Sequence, residues 1–307
     1  MSMDDRDGLI WFDGEMVPWR DARVHVLTHT LHYGMGCFEG VRAYATDQGT
    51  AIFRLREHTN RLFDSAKILG MDMPFSKAQI NDACRSAVRE NNLKEAYLRP
   101  MVFFGSEGMG LRADNLKTHV IVAAWEWPSY MAPETRELGI KVQTSSFTRH
   151  HVNIAVTKAK ANGQYINSMM ALAEAQRGGY DEALLLDPQG YAAEGSGENL
   201  FVVKDNVIYT PVLTSCLNGI TRNTVFHMAR HLGYELREKL ITRDEIYIAD
   251  EAFFTGTAAE VLPIRELDGR SIGEGRRGPI TEKVQSLYFD VVRGKQVLDA
   301  DWLTPIL

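Results

Sequence analysis

The segment Trp127–Thr135, WPSYMAPET, places Pro128 and Pro133 in the middle of the chain. Proline fixes φ and withholds a backbone donor, so neither a regular helix nor a central strand runs through such a stretch. On either side, strand-sized apolar runs alternate with helix-period stretches. This predicts two α/β units, a smaller one over 1–127 and a larger one over 135–307, joined by a linker at 128–134. A chain of 307 residues that is 45% hydrophobic has apolar surface enough for both.

In the first unit, Leu9–Phe12 and Met16–Val17 flank Asp13-Gly14 and predict a β-hairpin. Ile52–Arg54 reads as a short strand. Helices are expected over Arg56–Leu69, with Leu62, Ala66 and Leu69 on one side, and from Ser76, where Gln79 completes a capping box. Strands follow at Ala96–Phe104 and His119–Trp125. In the second unit, Ile140–Ser145 is strand-like, and a helix from near Gly163 stops at Gly178-Gly179. Hairpins are expected around Asp187–Gly190 and Asp205-Asn206. Helices are expected over Thr221–His231 and from about Pro279 to Val292.

Several function classes are disfavoured. Acidic residues outnumber basic ones, 40 to 34, so no broad nucleic-acid surface is indicated. The N-terminus MSMDDRDGLIWFDGE is acidic where a secretory leader would be basic, and the longest apolar run, Val120–Trp125, is strand-sized. Cys37, Cys84 and Cys216 form no CxxC pair, and His150-His151 lacks further ligands at metal spacing, so no metal site is expected. A reduced, cytoplasmic setting is the expectation.

Four features carry chemistry. AVTKAKANGQY contains Lys158 and Lys160 behind the apolar run Ile154–Val156; a lysine entering the fold there is either a surface cation or an amine nucleophile for an aldehyde. EGSGENLF, Glu194–Phe201, sets two carboxylates around a glycine turn between strands. NGITR, Asn218–Arg222, opens a helix, whose free N–H groups favour an anion. TGTAAE, Thr255–Glu260, offers hydroxyls and backbone donors after a strand, either to a second anion or as a helix cap. An amine, a carboxylate and an anion cradle together suit a cofactor with an aldehyde, a basic ring nitrogen and a phosphate: pyridoxal 5′-phosphate has all three.

Taken with IWFDGEMV, HTLHYGMGCFEGVRAY, RLFDSAKIL, AYLRPMVFFG and FFTGTAAEVLPI, these strings resemble the branched-chain amino acid aminotransferases, of the class IV (D-alanine aminotransferase-like) pyridoxal-phosphate enzymes, over nearly the whole chain. The resemblance implies a two-domain α/β (α+β) fold of type IV, like that of D-amino acid aminotransferase. It implies a cofactor cleft between the domains, and a homodimer at minimum, with hexamers among bacterial members. The implied partners are amino acids and 2-oxo acids. The implied reaction is ping-pong transfer of an amino group between L-leucine, L-isoleucine or L-valine and 2-oxoglutarate. D-Amino acid aminotransferase and aminodeoxychorismate lyase share the fold and are the rival activities; the Tyr97-x-Arg99 strand and the FFTGTAAE loop favour the branched-chain enzymes over the lyase.

By position, AKANGQY selects Lys160 over Lys158 as the lysine that bonds the aldehyde and moves the substrate proton. Tyr165 would meet the phenolic oxygen and Glu194 the ring nitrogen. Arg61, Ile220, Thr221 and Thr257 would hold the phosphate. For substrate, Tyr97 and the backbone of Thr257 and Ala258 would take the α-carboxylate, and Arg99 the side-chain carboxylate of glutamate. Tyr97 and Arg99 alternate on a strand and so share a face. Phe38, Trp127 and Tyr130 would wall an apolar slot, and Tyr33 and Leu111 would reach a neighbouring subunit's site. Asn162-Gly163-Gln164 departs from the Gly-Gly-Asn often found before the tyrosine, and Arg149–Thr157 differs from the proline-containing run expected in enterobacterial members.

Overall fold

The computed structural model describes residues 2–112, 114–127 and 133–307. Two sheets organise the chain. The first is wholly antiparallel, in the order Leu303–Pro305, Gly49–Phe53, Val41–Thr46, Ala96–Phe104, Thr118–Trp125, Leu9–Phe12, Glu15–Pro18, and Gly36–Phe38 also pairs with Ala96–Phe104. Helices Leu55–Ile68 and Lys77–Arg89 cover it. Their buried positions, Leu62 and Ala66 on one and Ile80, Cys84, Ala87 and Val88 on the other, recur at helical spacing and pack on Leu98, Val102, Val120 and Val122. Ser76 and Gln79 make the expected capping box. The hairpin at Asp13-Gly14 has positive φ at both residues, 49° and 106°, the turn whose twist matches its strands.

The second sheet is mixed. Ala192–Gly195, Glu182–Leu186, Ile140–Thr144, Glu260–Leu267, Glu251–Gly256 and Asn199–Lys204 pair in sequence, and Glu194 pairs with Asn199 to close them into a ring. Val207–Pro211 and Glu235–Lys239 extend this sheet. A core of Phe201, Val203, Ile208, Phe253 and Val261 from this sheet, Val284 and Tyr288 from helix Pro279–Val292, and Tyr44 and Phe53 from the first sheet ties the halves together.

Two expectations change. Arg54 is not the end of a strand; at φ 53° it caps helix Leu55–Ile68. TGTAAE caps no helix: it is the turn of a hairpin, with Gly256 opposite Glu260, leading into the strand Glu260–Leu267. The last strand, Leu303–Pro305, returns to pair with Gly49–Phe53, so the C-terminal unit contributes to the N-terminal sheet. Residues 128–132 of the expected linker lie outside the described residues, and helix Pro133–Leu138 begins at its end. Among the described residues no helix is long and apolar enough to cross a membrane.

Candidate active site

Lys160 sits where the two sheets meet, and its backbone is held from the first. Its N–H donates to Ser65 Oγ at 3.0 Å, and Phe38 N–H donates to its carbonyl at 3.1 Å. Just beyond, Gly163 N–H reaches Gly34 O at 3.2 Å. A Cβ on Gly34 would lie 3.1 Å from Gly163 Cα, and Gly34 has φ +70°, so both approach and conformation require glycine there.

The side chain enters a cavity of about 530 Å³ between the sheets. Lys160 Nζ donates to Tyr165 Oη at 2.6 Å, and the Phe38 and Tyr165 rings stand 4.9 Å apart beneath the amine. Lys158 turns elsewhere. Its amine donates to the carbonyls of Leu213, Thr214 and Cys216 at 2.7, 3.3 and 3.0 Å, and it does not line this cavity. Of the two lysines, Lys160 is the one whose side chain lines the cavity.

Glu194 lines the cavity from the second sheet. One oxygen meets Arg149 Nη2 at 2.8 Å; the other accepts from Leu217 N–H at 3.1 Å and Asn199 Nδ2 at 3.4 Å. Burial raises its pKa, and Arg149 offsets this only in part. Glu198, also on the cavity, is raised well above the ordinary carboxyl value, first by burial and then by the nearby Glu182.

The same cavity also holds a cradle for an anion. Helix Ile220–His231 opens here behind Gly219, which supplies no side-chain cap, so its first N–H groups lack helical partners. Ile220, Thr221, Thr257 and Ala258 line the cavity together with Arg61. The hairpin turn carrying Thr257 is fixed from the first sheet, where Tyr44 Oη donates to Glu260 Oε1 at 3.0 Å and Arg42 pairs with the same oxygen at 3.4 Å.

On the small-domain side, Tyr97, Arg99 and Met101 alternate along strand Ala96–Phe104 and all line the cavity. Gly40 makes room: a Cβ there would stand 2.0 Å from Tyr97 Oη. Arg99 lies over the Phe38 ring at 4.5 Å and donates to Tyr97 Oη at 3.4 Å, but among the described residues no carboxylate pairs with it.

The cavity thus gathers Lys160, Tyr165, Glu194, Arg61, Ile220, Thr221, Thr257, Ala258, Phe38, Tyr97 and Arg99. Trp127 is not among the residues that line the cavity; its ring lies 4.8 Å from that of Tyr97. Tyr130 lies outside the described residues. Tyr33 and Leu111 also stand apart from the cavity of their own chain; Tyr33 accepts from Gly110 N–H at 3.1 Å, and Leu111 is 92% exposed. Sequence reasoning named Thr255 only as one of the TGTAAE hydroxyls and Arg149 only within the Arg149–Thr157 segment, and it missed Met101. Met101 continues the alternation of Tyr97 and Arg99 and was open to discovery; Arg149 sits in a loop with no periodic signal.

The donor set fits pyridoxal phosphate on features of the cavity itself. Thr255 Oγ1 and Arg99 Nε are buried there without hydrogen-bond partners. The helix N-terminus, the Arg61 guanidinium, a buried carboxylate and a lysine amine all line this one cavity. Residues 36–267 match the family described as amino-transferase class IV. The chain is 70% identical over 304 residues, 99% of each protein, to the branched-chain-amino-acid aminotransferase of Pseudomonas aeruginosa. It superimposes on the crystal structure of the Escherichia coli branched-chain amino acid aminotransferase with a TM-score of 0.96 at 45% identity, covering 98% of this chain and 100% of that one. The branched-chain amino acid aminotransferase from Thermobaculum terrenum, solved in its PLP-form, matches with a TM-score of 0.91 at 33% identity, over 98% and 99% of the two chains. The chain therefore belongs to the class IV aminotransferases, among their branched-chain amino acid enzymes.

Proposed function

We propose that this protein transfers the amino group of L-leucine, L-isoleucine or L-valine to 2-oxoglutarate, giving the branched 2-oxo acid and L-glutamate by a ping-pong mechanism with pyridoxal phosphate. The observation that carries this reading is Lys160 Nζ at 2.6 Å from Tyr165 Oη, inside a cavity lined also by the Glu194 carboxylate, by Arg61 and by the first residues of helix Ile220–His231. When bound, pyridoxal phosphate supplies the aldehyde that takes the amino group and the ring that accepts the electrons released at Cα.

The protein's part is binding, orientation and proton movement. Glu194 meets the ring nitrogen and holds a proton on it. Tyr165 donates to the phenolic oxygen beside the lysine. Arg61, Thr257 and the N–H groups of Ile220 and Thr221 hold the phosphate. The Lys160 amine takes the proton from the substrate Cα and delivers it to C4′.

The mixed lining explains how one site serves two kinds of substrate. Phe38 and Met101 give a branched aliphatic side chain an apolar surface. A glutamate side chain entering that slot would lose its hydration at a cost of several kcal/mol without a partner. Arg99, free of any carboxylate among the described residues, supplies one. Tyr97 and the Thr257–Ala258 backbone hold the α-carboxylate common to both. Tyr33 and Leu111 complete the neighbouring site in a homodimer, the smallest working assembly.

The test mixes purified protein and pyridoxal phosphate with L-isoleucine and 2-oxoglutarate. Glutamate should form; its absence with cofactor bound would overturn the reading, and turnover of a D-amino acid or pyruvate release from aminodeoxychorismate would replace it with a rival. Lys160→Ala should abolish the visible absorbance of the lysine-bound cofactor and lower turnover by at least ~10⁴-fold. Lys158→Ala should keep both.

A further inference from the structure

Glu39 is completely buried, and a carboxylate without water is costly unless it is well paired. Its partners lead toward the cavity. Arg61 makes two bonds to it, Nε to Oε1 at 2.7 Å and Nη2 to Oε2 at 2.8 Å, and His58 Nδ1 also meets Oε2, at 2.7 Å. Burial alone would raise this carboxyl; the charge and hydrogen bonds of Arg61, with the hydrogen bond from His58, hold it at about 2 instead. Burial lowers the pKa of His58, which favours a neutral ring donating through Nδ1.

The two bonds to Glu39 lock the plane of the guanidinium. Arg61 Nη1 also donates to Asn218 O at 2.9 Å, in the residue before the Gly219 cap of helix Ile220–His231. Glu39 and Asn218 together occupy the Nε hydrogen and one hydrogen on each terminal nitrogen. Each terminal nitrogen keeps a second hydrogen, and Arg61 faces the cavity beside the free N–H groups of the helix. A guanidinium held this way presents a fixed fork, whereas one pinned at a single point would sweep an arc.

We propose that Glu39, backed by His58, is the positioning residue that fixes the Arg61 fork for the cofactor phosphate and thereby lets the protein tell pyridoxal phosphate from pyridoxal. This rests on the proposed function in taking the anion at Arg61 to be that phosphate. Glu39 acts through Arg61 and touches no ligand itself.

Aspartate separates position from charge. Glu39→Asp keeps the negative charge but withdraws the carboxylate by one methylene, so it cannot keep both bonds to Arg61. The full-length protein is stripped of cofactor and titrated with pyridoxal phosphate and, separately, with pyridoxal, following the visible absorbance of the lysine-bound form. Glu39→Asp should raise the Kd for pyridoxal phosphate by at least ~10-fold and leave that for pyridoxal within ~2-fold. In an Arg61→Lys background, where no fork remains to be oriented, Glu39→Asp should add no further loss for pyridoxal phosphate. Equal weakening of both ligands would show that Glu39 only staples helix Leu55–Ile68 to the sheet, and an unchanged Kd for pyridoxal phosphate would show that the fork needs no fixing; either result overturns the proposal. A wild-type chain that takes up neither ligand would instead defeat the proposed function, and this inference with it.

Discussion

Glu39 and Glu194 are both buried glutamates paired with an arginine of the same cavity, yet their environments drive them in opposite directions. Glu39 has two bonds from Arg61 and a third from His58, and its carboxyl is held at about 2. Glu194 has a single ion pair to Arg149 and two weaker neutral donors, and burial prevails, raising its pKa. Glu39 is shut off from the cavity, whereas Glu194 opens onto it. Arg99 completes the comparison as an arginine of the same cavity with no carboxylate of its own among the described residues. An ion pair closed within the protein orients; a charge left under-compensated at the cavity wall is available to a ligand.

The largest effect that separates the two carboxylates should come from Glu194→Gln. The amide is nearly the same shape but cannot supply a counter-charge to a protonated ring nitrogen. Loss of a charge-assisted bond of about 2–3 kcal/mol should lower kcat by about 100-fold, with the cofactor still bound covalently to Lys160. Single-turnover absorbance with L-leucine measures it, and an undiminished rate would remove the distinction between Glu194 and a merely structural pair.

A smaller, selective effect is expected at Arg99. Arg99→Ala should cut kcat/KM for glutamate by about 10–100-fold, the range for a hydrogen bond to a charged group. The value for leucine should fall much less, since its side chain has no charge to meet. Steady-state kinetics with both donors decides this, and equal losses would mean that Arg99 shapes the cavity without reading the second carboxylate.

Much of the architecture was legible because it rests on local rules. The Ser76–Gln79 box, the Asp13-Gly14 hairpin and the helical spacing of Ile80, Cys84 and Val88 each need only neighbouring residues to be understood. The strand Glu260–Leu267 was missed because its start, Glu260, has φ 61° and is held by Tyr44 and Arg42 from the other half of the chain. The return of Leu303–Pro305 to Gly49–Phe53 is likewise a pairing between distant residues that no window of sequence contains. At the site, Lys160, Glu194 and the Tyr97–Arg99 alternation stood out as motifs. Arg149 and Glu39 did not, since their significance lies in which charge they face across the fold.

The subtlest expected difference is in pH dependence, measured on cofactor-free protein as unfolding free energy across the acid range. An unfolded glutamate titrates near 4.5. Glu39, depressed to about 2 in the fold, contributes stability that is complete above 4.5 and is lost as pH falls through about 2. This amounts to on the order of 3 kcal/mol. Glutamine does not titrate, so the gap between wild type and Glu39→Gln should close as the solution is acidified through this window. Glu194, raised in the fold, contributes stability that is complete below 4.5 and is lost as pH rises through its folded value. The gap between wild type and Glu194→Gln should therefore change in wild type's disfavour as pH rises above 4.5. Each difference removes whatever constant cost the amide imposes on its arginine, leaving only the slope. Opposite slopes would confirm that one pair is closed and the other under-compensated; parallel slopes would show that the two carboxylates are electrostatically alike.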